Sequence, residues 1–446
     1  MFPARRSCLP LKDGWFGLAL ALAGALGFTG CAAEDPREAE AIGADSSEIE
    51  TIGVAREHVA GDVYHYSFTL RVGHTPNARV RLHRVVREVA PWWPRPAASA
   101  VMLLHGDFAT FTTSFAPGTT GATAPPHGGL AVYLAAQGVD VWGFDRRWTL
   151  APADGADLSD FAAMGYAQEL DDVERALAFA RGTRAATGSG HGKLVLGGFS
   201  RGGHLAYVYA GRESQRAPGK RHVRGLVPID IYARIAPEDE AFRQNACASS
   251  AWDQAALQQG VVDSDNGFQI TVGSLAASDP GGASPYYADF TNRDVMLAFI
   301  AQTYLFFQPT PVYHLGGGAL VDGFPTALRW SAEPVIDSWL AGAPFHQALA
   351  ETADTDALWC GDAPLPLDDH LEDVQVPLFY LGAAGGFGDH GLYTTTLVAS
   401  TDVTTHVVRR LAPAREDEDF GHGDLLYAAD AVDQAWAPLA QWLLHH

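Results

Sequence analysis

Cysteine is scarce in this chain. Four cysteines in 446 residues (Cys8, Cys31, Cys247, Cys360) are too few for a disulfide framework, and none is spaced as CxxC or as a zinc-ligand set. Neither a structural metal cluster nor any other metal is expected. Positive charge is also short, with 30 Lys and Arg against 52 Asp and Glu and a formal charge of -22. A nucleic acid or a strongly anionic membrane surface would be repelled by such a protein. Glycine runs occur at Gly281-Gly282 and Gly316 to Gly318, but neither stands between a strand and a helix. With no dinucleotide fingerprint, P-loop or repeat elsewhere, no organic cofactor is implied. The 47% hydrophobic and 18% charged residues suffice for one or two globular domains.

The one long uncharged run lies at the beginning. Arg5, Arg6 and Lys12 precede an apolar stretch from Gly14 to Gly30, which is too short and too rich in small residues for a permanent span and reads as an export signal. It ends Phe28-Thr29-Gly30-Cys31-Ala32 and resembles the lipobox of bacterial lipoproteins, with Phe28 in place of the usual Leu. The resemblance implies lipidation of Cys31 and a location at the outer membrane, on its periplasmic face or at the cell surface. An ordinary signal peptide and a retained anchor stay open, as does a twin-arginine route through Arg5-Arg6. Loss of residues 1–30 would leave Cys247 and Cys360 as candidates for a disulfide, with two buried thiols as the alternative. Residues 31–61 read as an acidic tether; seven acids stand against Arg37 between positions 32 and 53.

Period-two alternation predicts strands over 64–72 and 80–89. A short apolar run, Ala100 to Leu104, then meets His105-Gly106-Asp107. Helix (130–137), strand (139–144), helix (166–181) and strand (193–196) follow, a rhythm that implies βαβ crossovers and a mostly parallel sheet flanked by helices. The last of these strands runs into Gly197-Gly198-Phe199-Ser200-Arg201-Gly202-Gly203. The bare GxSxG pattern is weak, but a strand before it and a helix after it are the context in which a sharp turn holds a serine Oγ clear of a sheet. Further on come a strand over 225–231 ending near Asp230, a buried run 376–381 with a loop containing Asp389, a strand over 403–411, and Asp419-Phe420-Gly421-His422-Gly423-Asp424 before a closing helix.

In this order of serine, acid and histidine the chain resembles the α/β-hydrolase superfamily, in its esterase and lipase branch, over residues 62–230 and 372–446. The resemblance implies Ser200 as nucleophile, His422 as general base and then acid, and Asp389 as the carboxylate that orients the imidazole, with Asp230 as the rival for that place. It further implies an oxyanion hole made by the backbone N–H groups of Arg201 and Asp107. His105 is expected to support the oxyanion loop, His390 to be a loop residue or an alternative partner for the base, and Asp424 to fix its loop. Residues 416–419 read as a solvated acidic face, or else as a field favouring the imidazolium of His422.

Residues 231–371 are far more than a crossover needs and are expected to form a cap, rich in aromatic residues, with an apolar pocket beneath it. The expected activity is hydrolysis of a small or apolar carboxylic ester through an acyl-enzyme on Ser200. A peptidase or thioesterase of the same superfamily is the alternative, and a non-catalytic lipid- or peptide-binding surface lipoprotein is the alternative from another class. Epoxide and haloalkane chemistry would place Asp where the chain has Ser200.

Overall fold

A computed structural model describes residues 50–118, 123–306, 312–361 and 365–446. The export segment, Cys8, Cys31 and the tether as far as residue 49 lie outside the described residues. Among the described residues no helix is long and apolar enough to cross a membrane.

The chain opens with three antiparallel strands, β1 (Glu50–Ala60), β2 (Val63–Arg71) and β3 (Arg79–Ala90), and a two-residue strand β4 (Trp93–Pro94) that pairs with β3. Four strands then alternate with helices: β5 (Ala100–Leu104), β6 (Asp140–Asp145), β7 (Leu194–Phe199) and β8 (Val223–Ile229). The segment 231–371 contributes four short strands in two separate pairs, β9 (Asp263–Asp265) with β12 (His346–Ala348) and β10 (Gly318–Val321) with β11 (Phe324–Leu328). Two more, β13 (Leu378–Ala383) and β14 (Val403–Val408), complete a ten-stranded sheet of order β1-β2-β3-β6-β5-β7-β8-β13-β14, with β4 off this path. From β6 to β14 every pairing is parallel.

Alternation along the buried strands explains the layers. Val101 and Leu103 of β5, with Val141 and Val195, face one core cluster that contains Leu130, Leu134, Trp436 and Leu439. Met102 and Leu104, with Trp142, Phe144 and Leu196, face a second that contains Leu170, Val173, Leu177 and Leu205. Successive side chains of a strand point to opposite faces, so a continuous apolar run serves two helix layers at once. Each fully buried aliphatic side chain contributes about 1.5–3 kcal/mol.

Residues 50–60 depart from the tether expected there. They form β1, whose register places Arg56 opposite Tyr66 and Glu50 opposite Arg71. Almost every residue of β1 is exposed, so it lacks the one-sided apolar alternation by which a half-buried strand is recognised.

Since β5 is flanked by β6 on one side and β7 on the other, the winding of the chain reverses there. The crevice at the carboxyl ends of strands next to such a reversal is where open α/β sheets place their ligands. His105 to Asp107 follow β5, Ser200 follows β7 and Asp230 follows β8, so the candidate residues converge on that edge.

Candidate active site

Strand β7 is buried throughout and turns at Ser200 into the helix Arg201–Ser214. Ser200 has φ 55° and ψ -132°, a conformation that costs a non-glycine residue about 1–3 kcal/mol. The surroundings enforce it: the Ser200 N–H donates to the Ile229 carbonyl at 2.9 Å, and its own carbonyl accepts from the N–H of Gly203 at 2.8 Å. Close approach explains the glycines. A Cβ on Gly198 would stand 2.2 Å from the Gly202 backbone, and one on Gly202 would stand 2.2 Å from the Leu104 carbonyl. The Ser200 side chain is partly exposed and its hydroxyl makes no hydrogen bond among the described residues.

His422 is 3% exposed, and its ring stacks on Phe199, the neighbour of Ser200, with centroids 4.2 Å apart. Tyr313 and Phe387 stand against it at 5.5 and 5.4 Å. Its Nδ1 is 2.6 Å from Oδ2 of Asp230. That carboxylate is fully buried and also accepts from the N–H of Ala383 at 2.8 Å and of Phe387 at 3.0 Å. A Cβ on Gly386 would lie 2.0 Å from Asp230 Oδ2, so the glycine there makes room for the carboxylate. The backbone N–H of His422 donates to the His314 carbonyl at 3.0 Å, which ties the loop to the inserted segment.

Asp389, the residue first expected to orient the imidazole, is elsewhere. It lies in the first turn of the helix Gly388–Thr395, is exposed, and pairs with Arg409 at 2.6 Å. The physical reason is local. Strand β13 runs on to Ala383, a four-residue turn follows, and a helix begins at Gly388, so Asp389 stands on a helix instead of in an open loop. Asp230 instead emerges directly from the end of β8 with φ 48°, beside the two loops it bonds.

Arg201 follows Ser200 in the chain, and Asp107 follows Gly106, which lies against Ser200. Among the described residues neither backbone N–H has a hydrogen-bond partner, as an oxyanion hole requires. The Gly106 carbonyl accepts from Nη2 of Arg146 at 2.7 Å. In a trans peptide the N–H points opposite to the carbonyl, so that bond directs the Asp107 N–H away from Arg146. Gly106 itself is required by contact, because a Cβ there would lie 2.9 Å from Cβ of Ser200. His105 takes the supporting part: it is fully buried, edge-on to Trp148, and burial followed by the charge of Arg146 pulls its pKa down to about 3, so it is neutral.

Beneath the loop lies a buried ionic cluster that the motifs do not announce. Arg146 is bonded to Glu351, whose second oxygen accepts from Nε1 of Trp148 at 2.7 Å. Arg201 is paired with Asp107 through both carboxylate oxygens. Glu169 is also buried there, and burial, with the nearby charge of Glu351, raises its pKa well above the ordinary range. Glu169 also stands 3.8 Å from Arg146, so the cluster brings two guanidiniums and three carboxyl groups together. Glu351 comes from the inserted segment, more than 200 residues from Arg146, and no spacing rule joins them.

The remaining expected residues have definite places. Cys247 and Cys360 form a disulfide with Cα atoms 4.6 Å apart. His390 pairs with Asp239 at 2.9 Å. Asp424 fixes its loop, accepting from the N–H groups of Gly317 and Gly421, both at 2.8 Å. The acidic run is not merely a solvated face: Glu418 pairs with Arg329 and Arg415, and buried Asp419 accepts from the N–H groups of Arg410 and Leu411.

No protein-family profile and no curated protein matches the chain. Solved structures do. A candidate lipase from Sulfolobus solfataricus superposes with a TM-score of 0.58 at 16% identity, over 88% of this chain and 99% of that one. A monoglyceride lipase from Saccharomyces cerevisiae, in a soluble variant bound to a substrate analogue, gives 0.43 at 12% identity over 88% and 95%. An epoxide hydrolase from Vigna radiata gives 0.42 at 11% over 90% and 98%. The first of these likenesses and the sheet order lead to one conclusion about architecture: the chain has the α/β-hydrolase fold.

Proposed function

We propose that the protein is a serine hydrolase that cleaves a carboxylic ester of small or apolar character. The observation that carries this reading is the seating of Ser200 at a strained strand-to-helix turn beside His422, whose Nδ1 is bonded to the buried carboxylate of Asp230. Ser200 Oγ attacks the ester carbonyl carbon as its proton passes to Nε2 of His422, and the tetrahedral oxyanion accepts from the N–H groups of Arg201 and Asp107. His422 then gives the proton to the departing alcohol oxygen as the C–O bond breaks. Water repeats the attack on the acyl-enzyme, His422 takes its proton, and the acid leaves Ser200 restored. Asp230 keeps the proton of the resting imidazole on Nδ1 and stabilises the imidazolium that forms.

Aromatic rings around His422 and in the inserted segment favour an apolar acyl or alcohol part, and the formal charge of -22 disfavours a polyanionic substrate. The name carried by the Sulfolobus solfataricus structure, a candidate lipase, agrees with this choice. The reading extends to export and lipid anchoring through Cys31, so that the enzyme works outside the cytoplasm. A disulfide between Cys247 and Cys360 suits such an oxidising compartment.

The test is hydrolysis of p-nitrophenyl esters of increasing acyl length by the purified chain and by Ser200→Ala. Turnover that is abolished in the variant is the expected result. Turnover unchanged in Ser200→Ala, or absent from the folded wild type, would overturn the proposal.

A further inference from the structure

Gln347 lies in the inserted segment, is 1% exposed, and reaches the loop that follows β5 through both ends of its amide. Its Oε1 accepts from the N–H of Phe108 at 2.8 Å, and its Nε2 donates to Oδ1 of Asp107 at 2.8 Å. We propose that Gln347 is a positioning residue for the hydrolysis, a clamp from the insertion that aims the Asp107 N–H at the oxyanion. The inference rests on the serine-hydrolase reading and adds to it a residue outside the triad and the hole.

Two peptide planes meet at the Asp107 Cα, and each is held from a different side. The plane before it contains the Gly106 carbonyl, bonded to Arg146. The plane after it contains the Phe108 N–H, bonded to Gln347. With both planes fixed, the Asp107 N–H has one direction available. Phe108 has φ 45°, a left-handed conformation that a phenylalanine does not hold without external support. The Gln347 amide supplies that support at the residue where the strain sits.

The second contact governs charge. A carboxylate on the same residue as an oxyanion donor would oppose the developing negative charge if it turned towards it. Arg201 binds both oxygens of Asp107, and Gln347 adds a third donor, so the carboxylate is committed to them. The two residues that supply the hole are therefore joined through their side chains, and Gln347 fastens the joint. Gln347 is itself held in place. It sits in β12, paired with β9, its N–H donates to Oδ1 of Asp263 at 3.1 Å, and its neighbour His346 bonds Asp263 at 2.6 Å.

The experiment compares wild type, Gln347→Leu and Gln347→Glu for kcat and KM on one p-nitrophenyl ester, with thermal melting of each. Gln347→Leu keeps the volume and removes both contacts. Misplacing a reacting group by about an ångström costs roughly 10²-fold, so kcat is expected to fall by about 10- to 100-fold at unchanged KM in a protein that still folds, with a lower melting temperature from the two lost buried hydrogen bonds. Gln347→Glu keeps an acceptor for the Phe108 N–H but sets a second carboxyl group against Asp107 in place of the donor, and kcat is expected to fall at least as far. If Gln347→Leu does not fold, the Gln347→Glu loss in kcat at constant KM carries the test. Wild-type kcat in both variants, or a rise in KM alone, would overturn the positioning role while leaving the hydrolase reading intact. A folded wild type that turns over no ester would overturn both.

Discussion

Replacing Asp230 by Asn would keep the shape of the side chain while presenting an NH2 group or a neutral oxygen to His422 Nδ1 and to the two backbone donors it now serves. The imidazole would lose both its fixed tautomer and the charge that stabilises its protonated form. In a serine-protease triad the same change costs about 10⁴-fold in kcat, and a loss approaching that size is expected here on an ester substrate. Asp389→Asn provides the contrast. Asp389 makes an exposed ion pair with Arg409, and such pairs contribute about 0–1 kcal/mol, so kcat is expected to stay at the wild-type value. A loss in Asp389→Asn equal to that in Asp230→Asn would contradict the assignment. Ser200 and His422 were legible in the sequence because each sits in a short motif set by local geometry. Which of the two aspartates meets His422 was not legible, because it depends on whether the chain from residue 388 onward stays open or coils into a helix.

Strands and helices of the core followed their sequence patterns closely, since continuous apolar runs and a 3.6-residue period are imposed by burial on one or two faces. Strand β1 escaped that logic by being exposed, and the three- and four-residue strands of the inserted segment are too short to show any period. The helices Glu240–Gln258 and Leu349–Cys360 pack together and are stapled by Cys247 to Cys360, 113 residues apart. Closing so long a loop in the unfolded chain favours the folded state by about 2–4 kcal/mol. The double variant Cys247→Ser/Cys360→Ser is expected to unfold at lower urea with that loss of stability. An unchanged midpoint would show that the staple adds nothing to the packing of the two helices. The second of these helices also carries Glu351, so its anchorage bears on the loop beneath Asp107 as well.

Across the whole molecule, the inserted segment is bound to the core by buried charge and amide contacts as well as by covalent continuity. Glu351 and Gln347 meet Arg146, Trp148, Asp107 and Phe108 across more than 200 residues of sequence, which is why no local pattern revealed them. Buried titratable groups also make stability depend on pH in two opposing ways. Burial pulls the pKa of His65, His105 and His204 down to about 3; their contribution is complete above the unfolded histidine pKa of about 6.5 and is lost as the pH falls towards 3. Asp337 runs the other way. Burial, then repulsion from Glu333, raise its pKa to about 6 against the pull of Arg293, so its contribution is complete below about pH 4 and is lost as the pH rises through 6. Asp337→Asn is therefore expected to gain stability relative to wild type between pH 4 and 7, by on the order of 2 kcal/mol at the upper end. Melting curves of the two proteins across that range check it, and a gap independent of pH would contradict the assignment.

The central claim is an activated serine at position 200. Its most direct test is reaction of the folded protein with a fluorophosphonate, followed by mass spectrometry of the peptide that contains Gly198 to Gly203. A single phosphonyl adduct on Ser200 is expected, lost in Ser200→Ala and strongly slowed in His422→Ala and Asp230→Asn. A folded protein that carries no adduct, or carries it on another residue, would contradict it.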